Sequence, residues 1–329
     1  MTKSQNQEDV PRVVVAIVNY CTAELTINCL RSISEYIDEY KDTHVVVADN
    51  ASPDGSGKAI ADAIEAEGWS HWASVLPLPK NGGFAYGNNE VIRQWLGSKN
   101  SPEYFWLLNS DTLVYSGALA HLVRFLDNTP TAGFAGSCLE HRDGSVQHSA
   151  FRFHNVFSEF ENGVQLGLVT RLLRSKTVAP DRSHETQTCE WLSGASVLIR
   201  ASVLNEIGLM DEDYFLYFEE TDLARRAQAR GWESWYVVES RVIHLVGQSS
   251  GVTANERALA RRPSYWFESR RKYFVKNHGR LYAAVADLAL ITGVTIRKLR
   301  TIITRSPPSH PKSFIVDLVK HSALLNPAS

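Results

Sequence analysis

The chain has 329 residues, 44% of them hydrophobic, with a formal net charge of −2, a balance that suits one large α/β domain plus a smaller appendage folded around a sizeable core. Its four cysteines, Cys21, Cys29, Cys138 and Cys189, show no CxxC spacing and sit in apolar surroundings, which favours buried thiols in a reducing compartment over disulfides or a zinc site. The polar start, MTKSQNQEDVPR, lacks the apolar run of a secretory signal, so residues 1–12 read as a flexible lead and a cytoplasmic protein is expected.

In chain order, VVVAIVNY (Val13 to Tyr20) is a continuous β-branched strand. The next segment, Glu24 to Tyr40, repeats Leu25, Cys29, Ile33 and Ile37 at the spacing of one helical face. HVVVADN, SVLPLP and YFWLLN are further strands, with helices predicted over GSGKAIADAIEAEG and FAYGNNEVIRQWL between them. Strands this uniformly apolar belong to a parallel sheet covered by helices on both faces, and ligands of such sheets lie beyond the carboxyl ends of the strands.

Those ends read Asn19-Tyr20, Asp49-Asn50, PKNGGFAYGNN (Pro79 to Asn89) and Asn109-Ser110-Asp111. An aromatic ring, carboxylates, amides and a glycine-rich turn thus gather at one crevice. Each is also an ordinary turn former, and it is their convergence at one edge that points to a ligand. No GxGxxG follows the first strand and no GxxxxGK[ST] occurs, so neither an NAD fingerprint nor a P-loop is present. Past residue 130 come mixed strands, a polar stretch without clear pattern (His154 to Thr188), and then CEWLSGASVLIR and DEDYFLYFEETDLARRAQARGW. The last predicts a helix that starts at Glu219-Glu220 and stops at Gly231. Acids at a helix start complement its dipole, so capping is an alternative role for both glutamates.

Seven segments in this order resemble the family 2 glycosyltransferases, inverting enzymes of the GT-A fold, and among them bacterial rhamnosyltransferase-like members. They are VAIVNY, VVVADNASPDGS, KNGGFAYGNN, LLNSDT, WLSGASVLIR, GLMDEDYFLYFEETDLARRAQARGW and VIHLVGQSSG, together spanning Val13 to Gly251. The resemblance implies an α/β fold, a GT-A type Rossmann-like mixed sheet flanked by helices, over residues 13–262, with a basic helical C-terminal extension over 263–329. It also implies transfer of a hexose, rhamnose being favoured, from a nucleoside diphosphate sugar to a glycan or lipid-linked glycan acceptor in polysaccharide or cell-envelope synthesis.

By position, the resemblance places Tyr20 near the nucleobase and Asp49 at the base or ribose. Asn81, Gly82, Gly83 and Asn88 fall in the loop that approaches the nucleotide, where glycine permits close backbone contact. Asp111 matches the last acid of the DxD motif, which holds a divalent cation, Mg²⁺ or Mn²⁺, against the donor diphosphate; Asn109 replaces the first acid and lowers the charge of that site. His244 is the implied further ligand, with a purely structural histidine as its alternative. Glu220, second of an ED-like pair, is the implied base for the acceptor hydroxyl, and Asp222 a supporting acid. Trp191, Ser193, Gly194 and Glu219 are implied to line the donor-sugar or acceptor pocket.

From Pro263 onward eleven Lys/Arg face three acidic residues, so the compensating negative charge lies in the preceding part. The segment Arg280 to Arg305 has an apolar run of about sixteen residues interrupted by Asp287, short of the roughly twenty that span a bilayer. One reading is an amphipathic helix on an anionic membrane surface, which would place the protein peripherally on the inner face of the cytoplasmic membrane. The other is a helix packed on the catalytic domain or in a homo-oligomer interface. An acidic crevice without a recognition motif speaks against nucleic acid. A nucleotidyltransferase and a non-catalytic sugar-nucleotide-binding protein are the alternative functions.

Overall fold

The β-branched runs fold as the strands they predict: β1 (Val13–Asn19), β2 (Thr43–Asp49), β3 (Ala73–Pro77) and β4 (Tyr104–Asn109), separated by α1 (Ala23–Ser34), α2 (Ser56–Ala66) and α3 (Gly83–Trp95). They belong to a computed structural model that describes residues 10–40, 42–97, 101–245, 260–306 and 310–326. The chain continues through β5 (Thr112–Val114), α4 (Ala118–Asn128), β6 (Ala132–Glu140), β7 (Ala150–Phe151), α5 (Val156–Val164) and α6 (Gly167–Leu172). Then follow β8 (Gln187–Cys189), β9 (Trp191–Leu192), β10 (Ser196–Arg200), α7 (Ala201–Ile207), α8 (Glu219–Gln228) and β11 (Glu233–His244). Three helices close the chain: α9 (Ser264–His278), α10 (Arg280–Thr304) and α11 (Phe314–Lys320).

Two sequence expectations change. The helix predicted to reach Tyr40 ends at Ser34 and gives way to a 3₁₀ turn over Ile37–Tyr40. Ser32 and Ser34 donate their hydroxyls to the carbonyls of Cys29 and Arg31, both at 2.7 Å, a local bonding pattern that weakens a helix end. Of the cysteines, only Cys29 and Cys138 are buried; Cys21 is exposed, Cys189 half-buried, and all four are free.

The main sheet runs β3-β2-β1-β4-β10-β6-β11-β5, with β8 added to β11. Because strand side chains alternate between faces, Val13, Val15 and Ile17 of β1 join a core with α1, α2 and α4, while Val14 and Ala16 join a second core with α3, α7 and α8. Register then decides what meets at the edge. Parallel pairing sets Asn19 opposite Asp49 and Val18 opposite Asn109. Antiparallel β10 begins beside this point, with Asn109 N–H donating to Ala195 O at 3.0 Å. Antiparallel β5 and β11 pair Thr112 with His244, and Leu245 N–H donates to Asp111 O at 2.8 Å. The strand ends singled out in the sequence therefore do share one edge.

The C-terminal helices pack on the sheet domain through a buried ion network. Arg270 on α9 is 1% exposed and pairs with Glu159 of α5, at 2.7 Å, and with Asp287 of α10. Asp287, which interrupts the apolar run of the sequence, is thus an inward anchor, and its second oxygen accepts Ala323 N–H at 2.9 Å. Alongside, α5 and α10 touch glycine to glycine: a Cβ on Gly293 would lie 2.5 Å from Phe160 O, and one on Gly163 would lie 2.8 Å from Leu290 O. Asp222, fully buried on α8, accepts from Arg226 at 3.0 Å and from Lys276 of α9 at 2.9 Å. It therefore ties α8 to α9.

Candidate active site

The end of β2 is locked by its own turn. Asp49 accepts from Asn19 Nδ2 (2.7 Å), Ser52 Oγ (2.6 Å) and Ser52 N–H (3.2 Å), and is 7% exposed. Tyr20 stands next to it at the rim, 44% exposed. In the glycine-rich loop, Asn81 Oδ1 accepts Gly83 N–H at 3.1 Å, and Gly83 O accepts Asn50 Nδ2 at 3.0 Å. Gly83 has φ +88° and a Cβ there would collide with the Phe215 carbonyl, so glycine is required by the approach of the protein's own backbone. Gly82 lies over the Tyr86 ring in the same way. Asn88 sits beneath the loop at 1% exposure, its amide donating to Phe84 O at 3.0 Å.

At the far side of β4, Asn109, Asp111 and His244 come together. His244 Nε2 is 3.5 Å from Asp111 Oδ1 and 3.5 Å from Asn109 Nδ2. Gln147 settles the tautomer. Its Nε2 donates to Glu140 O (2.9 Å) and His244 O (2.7 Å), which leaves Oε1 to accept from His244 Nδ1 at 3.3 Å. With the proton on Nδ1, the Nε2 lone pair faces a carboxylate oxygen. Nε2, beside the Asp111 carboxylate and the Asn109 amide, is then the ring nitrogen available to a cation, and a metal-binding imidazole is usually oriented in this way through a hydrogen bond from its other nitrogen. Among the described residues no group of three His, Cys, Asp or Glu is placed to hold a metal. A cation here would therefore be held by Asp111 and His244, with amide, water or ligand oxygens completing its shell.

Between these two regions opens a cleft of about 440 Å³, lined by Asn109, His244, Trp191, Ser193, Gly194, Glu219 and Glu220, and also by Phe84, His154, Tyr217, Arg262 and Trp266. Tyr217 and Phe218 both have φ +73°, a left-handed pair of aromatic residues that costs on the order of 1–3 kcal/mol each. That kink points the first turn of α8 into the cleft. Glu220 Oε1 accepts Gly194 N–H at 3.2 Å. Burial raises Glu220 above the usual carboxylate range, and the amides of Glu220 and Gly194 pull it partly back. Glu219 is 1% exposed, its Oε2 has no hydrogen-bond partner, and burial together with the charge of Glu220 pushes it well above that range. Both carboxyls are thus held above the usual range, Glu219 the more strongly, so of the two Glu219 retains its proton more readily and Glu220 gives its up more readily. Trp191 forms the wall, stacked on Phe151 at 4.3 Å and donating Nε1–H to Arg152 O at 2.9 Å.

The cleft thus unites the sequence candidates Trp191, Ser193, Gly194, Glu219, Glu220 and His244, with Asp111 3.5 Å from the His244 imidazole, whereas Tyr20, Asp49, Asn81, Gly82, Gly83 and Asn88 do not line it. The remainder of VIHLVGQSSG after Leu245 lies outside the described residues. Sequence reasoning missed Gln147, which has no motif around it, and His154, whose Nδ1 is 3.3 Å from Glu159 Oε1. It also passed over Asn89, which donates to Met210 O at 2.8 Å and so ties α3 to the loop before α8.

The sequence model described as Glycosyltransferase like family 2 matches residues 11–262. The N-acetylglucosaminyl-diphospho-decaprenol L-rhamnosyltransferase of Mycobacterium tuberculosis is 29% identical over 219 residues, which cover 63% of this chain and 68% of that protein. The rhamnosyltransferase WbbL of Escherichia coli is 27% identical over 180 residues, 53% of this chain and 65% of that protein. Among solved structures, the mannosyltransferase PcManGT from Pyrobaculum calidifontis in complex with GDP-Man and Mn²⁺ superposes with a TM-score of 0.54 at 18% identity, covering 95% of this chain and 85% of that one. The fold is of this GT-A type: a mixed α/β sheet flanked by helices.

Proposed function

Because the chain belongs to the glycosyltransferase-like family 2, whose model spans residues 11–262, we propose that it moves a hexose, rhamnose first, with inversion from a nucleoside diphosphate sugar to a lipid-linked glycan acceptor. The observation that carries this reading is the single cleft shared by Glu220, Gly194 and His244, with Asp111 at 3.5 Å from the imidazole. Rhamnose rests on the names of the two relatives, and the lipid-linked acceptor on that of the mycobacterial one. Residues 13–262 are taken as the catalytic domain and 263–329 as an extension that buttresses it.

In the proposed reaction Glu220, ionised and held by the Gly194 amide, accepts the proton of the acceptor hydroxyl as that oxygen attacks the anomeric carbon. Glu219, pushed further above the usual range by burial and by the charge of Glu220, holds its proton the more readily of the two. Asp111 and His244 hold a divalent cation, Mg²⁺ or Mn²⁺, which when bound offsets the negative charge of the departing nucleoside diphosphate. Tyr20 and the Asn81–Gly83 loop border the nucleotide, and Trp191 and Ser193 border the sugars. A lipid-linked acceptor would have the enzyme work at the inner face of the cytoplasmic membrane.

The test is a panel of thymidine, uridine and guanosine diphosphate sugars incubated with a cell lipid extract. One donor should release nucleoside diphosphate and label a lipid, and chelation should suppress both. Release of pyrophosphate in place of nucleoside diphosphate would make the protein a nucleotidyltransferase. Donor binding without turnover on any acceptor would make it a binding protein.

A further inference from the structure

Helix α10 is divided lengthwise between two environments. Ala286, Leu290 and Val294 are buried against the body of the protein. Leu281, Val285, Leu288, Leu299, Ile302 and Ile303 are 82%, 45%, 62%, 56%, 73% and 81% exposed. At about 100° per residue, the exposed set forms a single stripe roughly 120° wide, opposite the buried set. Thr292 and Thr295 fall on the same stripe, and their hydroxyls donate to Leu288 O and Ile291 O, both at 2.8 Å. Bonded back to the helix in this way, they add no unpaired polar hydrogen to the face. Exposed apolar side chains also occur on other helices: Leu168 and Leu172 on α6 are 73% and 74% exposed, and Val316 on α11 is 67% exposed. Single exposed leucines are ordinary, but a continuous stripe along a 25-residue helix is not.

Charge indicates what covers it. Over 280–306 and 310–326 the acids are Asp287 and Asp317, and both are engaged, Asp287 with Arg270 and Asp317 with Arg261. Lys298 and Arg300 fall on either flank of the stripe by the same helical geometry, and with Arg280 and Arg305 they form no ion pair among the described residues. A second copy of the chain would bring these like-charged flanks together. An anionic bilayer satisfies both features, since apolar side chains enter the headgroup boundary while flanking cations meet phosphates. Among the described residues no helix is long and apolar enough to cross a membrane, so the helix would lie in the plane of the surface.

We propose that the outer face of α10 is the surface by which the protein rests on an anionic lipid bilayer. This rests on the lipid-linked acceptor proposed above, and names where that acceptor is met.

The experiment is co-sedimentation of the full chain with phosphatidylglycerol–phosphatidylethanolamine vesicles and with phosphatidylcholine vesicles. Binding should be about tenfold or more stronger on the anionic vesicles and should weaken with salt. Leu288→Glu with Leu299→Glu should cut it by roughly tenfold or more, as should Lys298→Glu with Arg300→Glu, which alters only exposed charges. Equal binding to both vesicle types, or unchanged binding by both double variants, would overturn the proposal. So would a dimer in analytical ultracentrifugation that the leucine variant converts to monomer. Nucleoside diphosphate release with a short-chain, water-soluble acceptor is recorded on the same samples. Its absence in the wild type counts against the proposed reaction and leaves the vesicle result standing.

Discussion

Replacing Gly194 by alanine perturbs the proposed base without changing any ionisable group. A Cβ at Gly194 would lie 2.8 Å from Glu220 Oε1 and 3.0 Å from Phe84 Cε1 and Cζ, where ordinary contact begins at 3.4 Å. Gly194 does not have positive φ, so alanine strains no backbone. The conflict falls on the carboxylate, which must retreat by about 0.6 Å and give up its 3.2 Å bond from the Gly194 amide. Misplacing a reacting group by 1 Å costs on the order of 10²-fold, so kcat should fall by about tenfold. Removing the base outright in Glu220→Gln should cost about 10²–10⁴-fold. The Gly194 amide also holds the Glu220 carboxyl down against burial. Since the base works only when ionised, the acidic limb of the pH–rate profile should move to higher pH in the alanine variant. The assay is steady-state nucleoside diphosphate release across pH at saturating donor and acceptor, with melting temperature as the control. A variant that melts normally, turns over at the wild-type rate and keeps its acidic limb would refute the assignment of Glu220.

Other expectations concern the metal pair and the buried charges. Asp111→Ala should abolish Mn²⁺ binding measured by calorimetry, Asn109→Asp should tighten it, and Gln147→Leu should weaken it by about 10–100-fold through the loss of the imidazole's orienting partner. Glu219 has its folded pKa raised, so its contribution to stability is fully present below the unfolded glutamate value and is lost as pH rises through the folded one. Urea denaturation from acid to neutral pH should therefore show a decline in the wild type that is flattened in Glu219→Gln; parallel curves would contradict the shift. Arg270→Met leaves Glu159 and Asp287 buried without their cation and should destabilise by about 3–5 kcal/mol in the same assay.

The N-terminal half was legible because its signals are local. Uniform β-branched runs such as Val13–Asn19 and the regular spacing of Leu25, Cys29 and Ile33 specify elements from a few neighbouring residues. Where Ile37 continued that spacing, serine hydroxyls ended the helix, an effect that periodicity does not register. The acidic pair, Gly194 and His244 could be found through the motifs around them, but not Gln147, nor which of these residues touch. Gln147 meets His244 across 97 positions and Gly194 meets Glu220 across 26, and no pattern along the chain marks such contacts. Asn88 and Asp49 stand in well-matched motifs, and the structure adds bonds the motifs do not announce, from Asn88 to Phe84 O and from Ser52 to Asp49. Composition could not tell which side of α10 faced inward. Asp287 looked like a flaw in an apolar helix, and its burial with Arg270 shows that it selects the inner face.

The ladder between β5 and β11 imposes an order of assembly. Asn19 reaches Asp49 over 30 positions, within one local strand–helix–strand unit, whereas Asn109 reaches His244 over 135. Closing the longer loop costs more chain entropy and yields nothing until β11 has docked on β6 and β5. As the chain leaves the ribosome, the turn around Ser52 can form while Asp111 still awaits its imidazole, and the pairing of the two comes later. Pulse-labelled hydrogen exchange during refolding should accordingly protect the amides of β1 and β2 before those of Thr112 and Leu245.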